Sequence, residues 1–99
     1  MITGSQCRAA RALVELDRTQ LSDLSGVDAD AIRAFERQLA EPPAETVTAL
    51  ARALERVGAV FIAENGGGIG VRLKFTASES RRIRTLEGEG GITGSDDVP

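Results

Sequence analysis

Residues 16–37 read LDRTQLSDLSGVDADAIRAFER and contain two short helical patterns on either side of a glycine. Asp17 precedes the first pattern and Gln20 follows three residues later, which is the spacing of a capping box at a helix start. Gly26 predicts the end of that helix, because glycine readily adopts the left-handed backbone conformation. Asp28 predicts the cap of a second helix. The stretch therefore predicts two helices joined by a short turn.

The apolar side chains of this stretch are spaced so that each helix buries one face. On a helix, residues three or four positions apart lie on the same side. We expect the buried set to be Leu21, Leu24, Val27, Ile32 and Phe35. Two short helices packed about a turn in this way form a helix-turn-helix, whose second helix lies in the DNA major groove when the motif reads DNA.

Helical periodicity continues on both sides of the motif. The spacing predicts a first helix over about residues 5–16, whose start Thr3 or Ser5 can cap. It also predicts that the helix beginning at Asp28 ends near residues 37–40. The prolines at residues 42–43 interrupt the pattern, since proline begins a helix more readily than it continues one. A fourth helix is predicted over about residues 44–57, and Gly58 ends it.

After residue 58 the chain has the character of a β-hairpin. Residues 59–75 contain strand-forming and alternating apolar side chains on either side of the glycine-rich turn ENGGGIG. A single hairpin is only marginally stable, so it needs the helices or a second copy to cover it. Residues 76–99 are polar, acidic and rich in glycine, which predicts a disordered tail. The prediction is a mostly α domain over residues 1–58 with four to five helices, followed by the hairpin and the tail.

Composition restricts the functions open to the chain. Its 99 residues include 12 basic and 15 acidic side chains, and the formal net charge of −3 argues mildly against non-specific affinity for nucleic acid. Histidine is absent and Cys7 is the single cysteine, so we predict no disulfide, metal, cofactor or Ser–His or Cys–His catalysis. Without such a catalytic set, we predict that the protein is not an enzyme. The sequence also lacks a signal-peptide pattern and a long apolar run, so we predict a cytoplasmic protein that does not span a membrane.

The motif and the helices around it, about residues 4–57, resemble the XRE family of bacterial regulators, which includes the lambda repressor and Cro. The segment FIAENGGGIGVRLKF, residues 61–75, resembles a hairpin that extends small members of that kind. The resemblance implies a lambda-repressor-like fold and a transcriptional regulator that binds double-stranded DNA as a homodimer. It also implies a recognition helix over about residues 28–37. We expect the hairpin, residues 59–75, to build the dimer by edge pairing or face packing.

The resemblance carries over to individual positions. Asp17 fills the polar cap that opens the family's second helix, and the next position, commonly glutamine, is Arg18, which is a competent phosphate donor. Arg11 and Glu36 match a pair that forms a structural salt bridge in some members. The residues implied to contact DNA are Arg18, Thr19, Ala29, Asp30, Arg33, Ala34 and Arg37.

The predicted recognition helix offers side chains for both bases and phosphates. Arg33 can read guanine through O6 and N7, Asp30 can accept from the N4 amine of cytosine, and Ala29 or Ala34 can touch a thymine methyl. Arg37 can bind a phosphate. A surface helix of a different function would also expose such residues, so the pattern leaves both interpretations open.

Acidic residues around the motif support an alternative function. Residues 17–38 hold three arginines and five acids, and the loop LAEPPAE that follows contains Glu41 and Glu45 but no base. DNA-binding members usually have a basic loop there. Asp28 is explained as a helix cap, whereas Asp30 either reads cytosine or marks a surface directed at protein. The alternative is therefore a protein-interaction module that binds RNA polymerase, another regulator or a toxin and binds DNA weakly or not at all.

Overall fold

The computed structural model describes residues 1–74, which form four helices followed by a two-stranded antiparallel sheet. The elements are α1 (Gly4–Val14), α2 (Arg18–Ser25), α3 (Ala29–Glu36), α4 (Ala44–Arg56), β1 (Ala59–Ile62) and β2 (Gly70–Leu73). The predicted mostly α fold and the hairpin after it are confirmed. The predicted tail over residues 76–99, and Phe75 at the end of the predicted hairpin, lie outside the described residues.

Local side-chain bonds start the first three helices. In α1 the Thr3 hydroxyl accepts from the Gln6 amide at 3.1 Å, while the Thr3 amide donates to Gln6 Oε1 at 3.0 Å. Asp17 and Gln20 make the same reciprocal pair in α2, at 2.7 and 2.9 Å. The Asp28 carboxylate accepts an amide of the first turn of α3 at 3.0 Å. These are the caps expected of such residues, and they confirm the predicted helix starts.

Two helices end sooner than their sequence patterns predict. α1 stops at Val14 because Glu15 adopts a left-handed conformation, with φ of 61°. α3 stops at Glu36, and Gln38 in the following loop is also left-handed, with φ of 60°. At the end of α2, Gly26 has φ of 77°, as predicted for a glycine cap.

One hydrophobic core joins all four helices to the hairpin. Its fully buried large aliphatic side chains are Leu21, Ile32, Leu50 and Leu54. Burial of Leu24 was predicted and is wrong, since this side chain is 44% exposed. It lies in the last turn of α2, where Val27 from the following turn packs against the core instead.

The hairpin is part of this core. In the register Ala59 lies opposite Leu73 and Phe61 lies opposite Val71, and directly opposed residues share a face of the sheet. Ala59 is buried, and Phe61 and Val71 pack against the helical core.

A buried glutamine attaches the hairpin to α1. The Gln6 side chain, which also completes the α1 cap, donates through Nε2 to the carbonyls of Ile62 at 3.2 Å and Gly70 at 2.9 Å. The amide thus satisfies one carbonyl at the end of each strand next to the turn. It fixes the turn end of the hairpin against the start of α1.

The packing of α1 on α3 depends on a glycine. A Cβ atom placed on Gly4 would overlap the carbonyl oxygen of Phe35, which is backbone and cannot swing aside. Gly4 is therefore needed for the close approach of the start of α1 to the end of α3.

We predict that Gly4→Ala destabilises the protein by about 1–3 kcal/mol, because the helices must separate to admit the methyl group. Urea unfolding followed by circular dichroism measures the change. Gly67→Ala is the matched control, since its added Cβ would meet only the Asn65 side-chain oxygen, at an ordinary 3.5 Å. Equal stability of the two variants would contradict this account of the α1–α3 contact.

Candidate nucleic-acid interface

α3 separates a buried face from an exposed one. Ile32 and Phe35 are buried in the core, while Asp30, Arg33 and Arg37 are exposed. The two alanines predicted to touch thymine, Ala29 and Ala34, are half-buried. The predicted base-reading residues thus lie on the side of α3 that the core leaves open, and α2 packs against the same helix. This is the arrangement by which a recognition helix presents side chains to a groove.

The first turn of α2 contributes the remaining predicted DNA contacts. Arg18 is half-buried and Thr19 is exposed, and both follow the Asp17 cap. Arg18 Nε donates to Glu36 Oε1 at 3.2 Å. Because Glu36 is the last residue of α3, this bond joins the start of α2 to the end of the predicted recognition helix.

Glu36 is the buried centre of a polar cluster. Its side chain is 0% exposed. Arg11 binds it through two parallel bonds, Nε to Oε2 and Nη2 to Oε1, each 2.7 Å long. The Cys7 thiol donates to Oε2 at 3.3 Å, and Arg18 completes the set at Oε1. A carboxylate has roughly four lone-pair sites, so these four donors saturate it.

On the exposed surface of α3, Asp30 and Arg33 form an ion pair. Arg33 Nη2 lies 3.9 Å from Asp30 Oδ1, one helical turn away. The Asp30 side chain is 87% exposed and the Arg33 side chain 47% exposed, and an exposed pair of this length contributes little to stability. Both groups therefore remain accessible to a partner.

The family model for the helix-turn-helix domain, of the XRE or lambda repressor-like type, matches residues 8–60, just over half of the chain. The chain belongs to this helix-turn-helix family. The family is one of DNA-binding regulatory domains, so α2 and α3 are its helix-turn-helix. No curated protein matches the chain. None of the helices within residues 1–74 is long and apolar enough to cross a membrane.

Three groups of the cluster, Glu36, Arg11 and Cys7, have shifted pKa values. Burial alone raises the pKa of the Glu36 carboxyl, but the hydrogen bonds from Arg11, Cys7 and Arg18 and the charge of Arg11 outweigh burial and hold it below its ordinary value. The hydrogen bond to Glu36 raises the pKa of Arg11. Burial, followed by the charge of Glu36, raises the pKa of the Cys7 thiol. Cys7 is thus a neutral donor with little tendency to form the reactive thiolate.

Burial of Glu36 changes the electrostatic balance of the motif. The sequence count of three arginines and five acids treats this carboxylate as a surface charge. In the structure it is enclosed, and its closest partner, Arg11, lies in α1 outside the counted stretch. Asp17 and Asp28 are helix caps whose carboxylates accept backbone amides. The surface around α3 is therefore less acidic than the count suggests.

The sequence interpretation missed three polar contributions. It assigned no hydrogen bond to Cys7 or to Gln6, and it gave Arg18 a role at phosphate without its bond to Glu36. Cys7 and Arg11 are four residues apart, which places them on one face of α1 and is a signal that they approach the same group. No comparable local signal links Gln6 to carbonyls that follow it by 56 and 64 residues.

We predict that the Glu36 cluster makes the protein sensitive to acid. A lowered pKa in the folded state stabilises the protein above the unfolded carboxyl pKa, ordinarily 4.5, and this stabilisation is lost as the pH falls through the folded value. Glu36→Gln should lower the free energy of unfolding at pH 7 by roughly 3 kcal/mol, since Arg11 then lacks its charge partner. It should also flatten the decline of stability in acid.

Urea unfolding at several pH values between neutrality and pH 3 measures both effects. Glu55→Gln, on the exposed side of α4, is the control that removes one carboxylate outside the cluster. If Glu36→Gln and Glu55→Gln show the same dependence of unfolding on pH, the Glu36 carboxylate does not govern acid stability.

Proposed function

We propose that the protein is a sequence-specific DNA-binding transcriptional regulator that acts as a homodimer, with residues 28–37 in the major groove. It would work in the cytoplasm, on the nucleoid when DNA-bound. One observation carries the proposal: α3 buries Ile32 and Phe35 and leaves Asp30, Arg33 and Arg37 exposed. A helix that is anchored along one side and polar along the other fits a groove of about 12 Å width.

Base selection is assigned to Arg33 and Asp30. Arg33 binds guanine through O6 and N7, and Asp30 accepts from the N4 amine of a cytosine. Their positions support this assignment, because the two side chains lie side by side on the exposed face of α3, with Arg33 Nη2 3.9 Å from Asp30 Oδ1, and both are open to a partner. Three residues of an α-helix rise about 4.5 Å, so the two side chains can serve neighbouring base pairs. Ala29 and Ala34 supply contacts with thymine methyl groups.

Phosphate contacts are assigned to Arg37 at the end of α3 and to Arg18 and Thr19 at the start of α2. Phosphate neutralisation provides sequence-independent affinity and fixes the orientation of the protein on the duplex. One domain offers few such contacts. A homodimer doubles them and places two recognition helices one turn of DNA apart, about 34 Å.

The hairpin is assigned as the dimerisation element, within residues 59–75. One of its faces packs on the helices through Phe61 and Val71. The opposite face holds Val60 and Ile62 of β1, across from Arg72 and Gly70 of β2. Val60 and Ile62 are only half-buried. A second copy packed on this face would cover two apolar side chains that the domain itself leaves partly open.

A protein-interaction module remains the second candidate. Leu39 in the loop after α3 is 71% exposed, and Glu41 and Glu45 follow it. An apolar side chain beside acids suits a protein surface better than a phosphate backbone, since acids repel phosphate. In this function Asp30 would face a protein partner such as RNA polymerase, another regulator or a toxin.

We predict that selection from random duplexes at low salt gives one enriched sequence for the wild-type protein. Arg33→Ala should lose the preference at one guanine by about tenfold or more, because the bidentate base contact disappears. Asp30→Ala should raise affinity for all DNA by removing a negative charge, and should also relax the preference at the neighbouring cytosine.

Arg52→Ala is the control, as it removes one exposed arginine from α4 while leaving α3 unchanged. No enriched sequence with the wild-type protein would overturn the regulator proposal. If Asp30→Ala raises affinity but keeps the preferred sequence, the assignment of Asp30 to cytosine is wrong. A stoichiometric protein complex from cells without DNA protection would favour the second candidate.

We predict that the double variant Val60→Glu, Ile62→Glu is a monomer, because two carboxylates cannot be buried between identical faces without partners. The first substitution places its carboxylate opposite Arg72, so the hairpin itself should persist. Light scattering measures the molar mass, and urea unfolding checks the fold. This design avoids truncation at residue 59, which would remove Ala59 from the core.

Leu13→Glu, Leu24→Glu is the matched control, since it adds two carboxylates at exposed apolar sites on the helices α1 and α2. It should keep the wild-type molar mass. A double hairpin variant that stays dimeric would place the interface elsewhere, and a monomeric wild-type protein would overturn the homodimer itself.

A further inference from the structure

The Glu36 carboxylate uses only part of the Arg18 guanidinium. Within residues 1–74 it is the one protein acceptor for that group, and it binds the Nε atom at 3.2 Å. The Arg18 side chain is 36% exposed, so the group is neither enclosed nor fully in solvent. A guanidinium carries five N–H donors in a planar fork, and those of Nη1 and Nη2 remain for a second acceptor.

Arg11 balances the charge of Glu36, which leaves the Arg18 charge available to another partner. The Arg11 guanidinium binds both carboxylate oxygens at 2.7 Å and also donates from Nη1 to the Leu16 carbonyl at 3.1 Å. The Glu36 charge is therefore balanced without Arg18. The added Arg18 charge makes the group of three residues net positive, and Arg18 is its most exposed member, with Arg11 14% exposed.

We propose that Glu36 is a positioning residue for DNA binding: it holds the Arg18 guanidinium by Nε so that Nη1 and Nη2 bind one backbone phosphate of the DNA. This inference rests on the proposed DNA-binding function. It differs from a simple surface charge, because one planar group contacts the buried carboxylate and the phosphate together. Since Glu36 ends α3, the phosphate contact is fixed relative to the recognition helix.

An arginine side chain can contact Glu36 and a phosphate at the same time, whereas a lysine side chain cannot. A guanidinium can bind two acceptors at two different edges of one rigid plane, whereas an ammonium is a single point charge at the end of a flexible chain. With lysine at position 18, the ammonium can lie against Glu36 or against the phosphate. It cannot hold both at the spacing that arginine spans.

The test compares Arg18→Lys and Arg18→Gln with the wild-type protein on the duplex enriched by the wild type. Arg18→Lys keeps the charge but should bind about tenfold more weakly, which corresponds to one charge-assisted contact. Arg18→Gln should also lower the slope of log affinity against log salt by about one unit for each domain bound. Arg52→Gln, on α4, is the control for loss of one positive charge away from the cluster.

Glu36→Gln provides the second arm if it folds. It should weaken binding when Arg18 is present and have no further effect in the Arg18→Gln background, because the two residues then act as one unit. Stability is measured for every variant, so that affinity is compared only between folded proteins. If Glu36→Gln does not fold, the lysine and glutamine variants still decide the matter.

The outcomes separate this inference from the proposed function. Equal affinity of Arg18→Lys and wild type would overturn the positioning role while leaving DNA binding intact. An unchanged salt slope in Arg18→Gln would overturn the phosphate contact and leave Arg18 a structural partner of Glu36. Failure of the wild-type protein to select any duplex would overturn the regulator proposal, and with it this inference.

Discussion

The structure depends on one buried carboxylate. Glu36 receives bonds from Cys7 and Arg11 of α1 and from Arg18 of α2, while belonging itself to α3. An ion inside a protein is costly unless it is paired and fully hydrogen-bonded, so any arrangement that withdraws a donor is penalised. The cluster thus favours one relative placement of three helices. Such a cluster specifies geometry more strongly than it adds stability, and geometry is what a groove-reading surface needs.

A second buried polar side chain, Gln6, fixes the hairpin to the helices in the same way. Gln6 donates to the carbonyls of Ile62 and Gly70 and accepts the Thr3 amide, so its polar atoms are occupied at the junction of helix and strands. Phe61 and Val71 add apolar contact beside it. The hairpin therefore moves with the helices. If it forms the dimer interface, the separation of two recognition helices follows from one continuous folded unit.

Local features of this fold were predictable from sequence, and long-range polar bonds were not. The caps at Thr3, Asp17 and Asp28 need only neighbouring residues, and all three form. Leu24 fits the helical period but lies where α2 ends, so period alone overestimated its burial. The Arg11–Glu36 pair was inferred through family resemblance. The bonds from Cys7 and Arg18 to Glu36 were not inferred: the four-residue spacing of Cys7 and Arg11 was an available signal for the first, whereas no spacing signal links Arg18 to a residue 18 positions away.

The acidic character of the motif has a different meaning once four of its five carboxylates are placed in the structure. Asp17 and Asp28 bind backbone amides, and Glu36 is enclosed by two guanidinium groups. Asp30 remains at the surface with Arg33 beside it. Because salt screens distant charges, DNA affinity depends on the charges at the contact surface more than on the net charge of the chain. Affinity for phosphate is therefore compatible with an acidic sequence, provided that arginines are held at the boundary and a carboxylate such as Glu36 is enclosed with its own partner inside the fold.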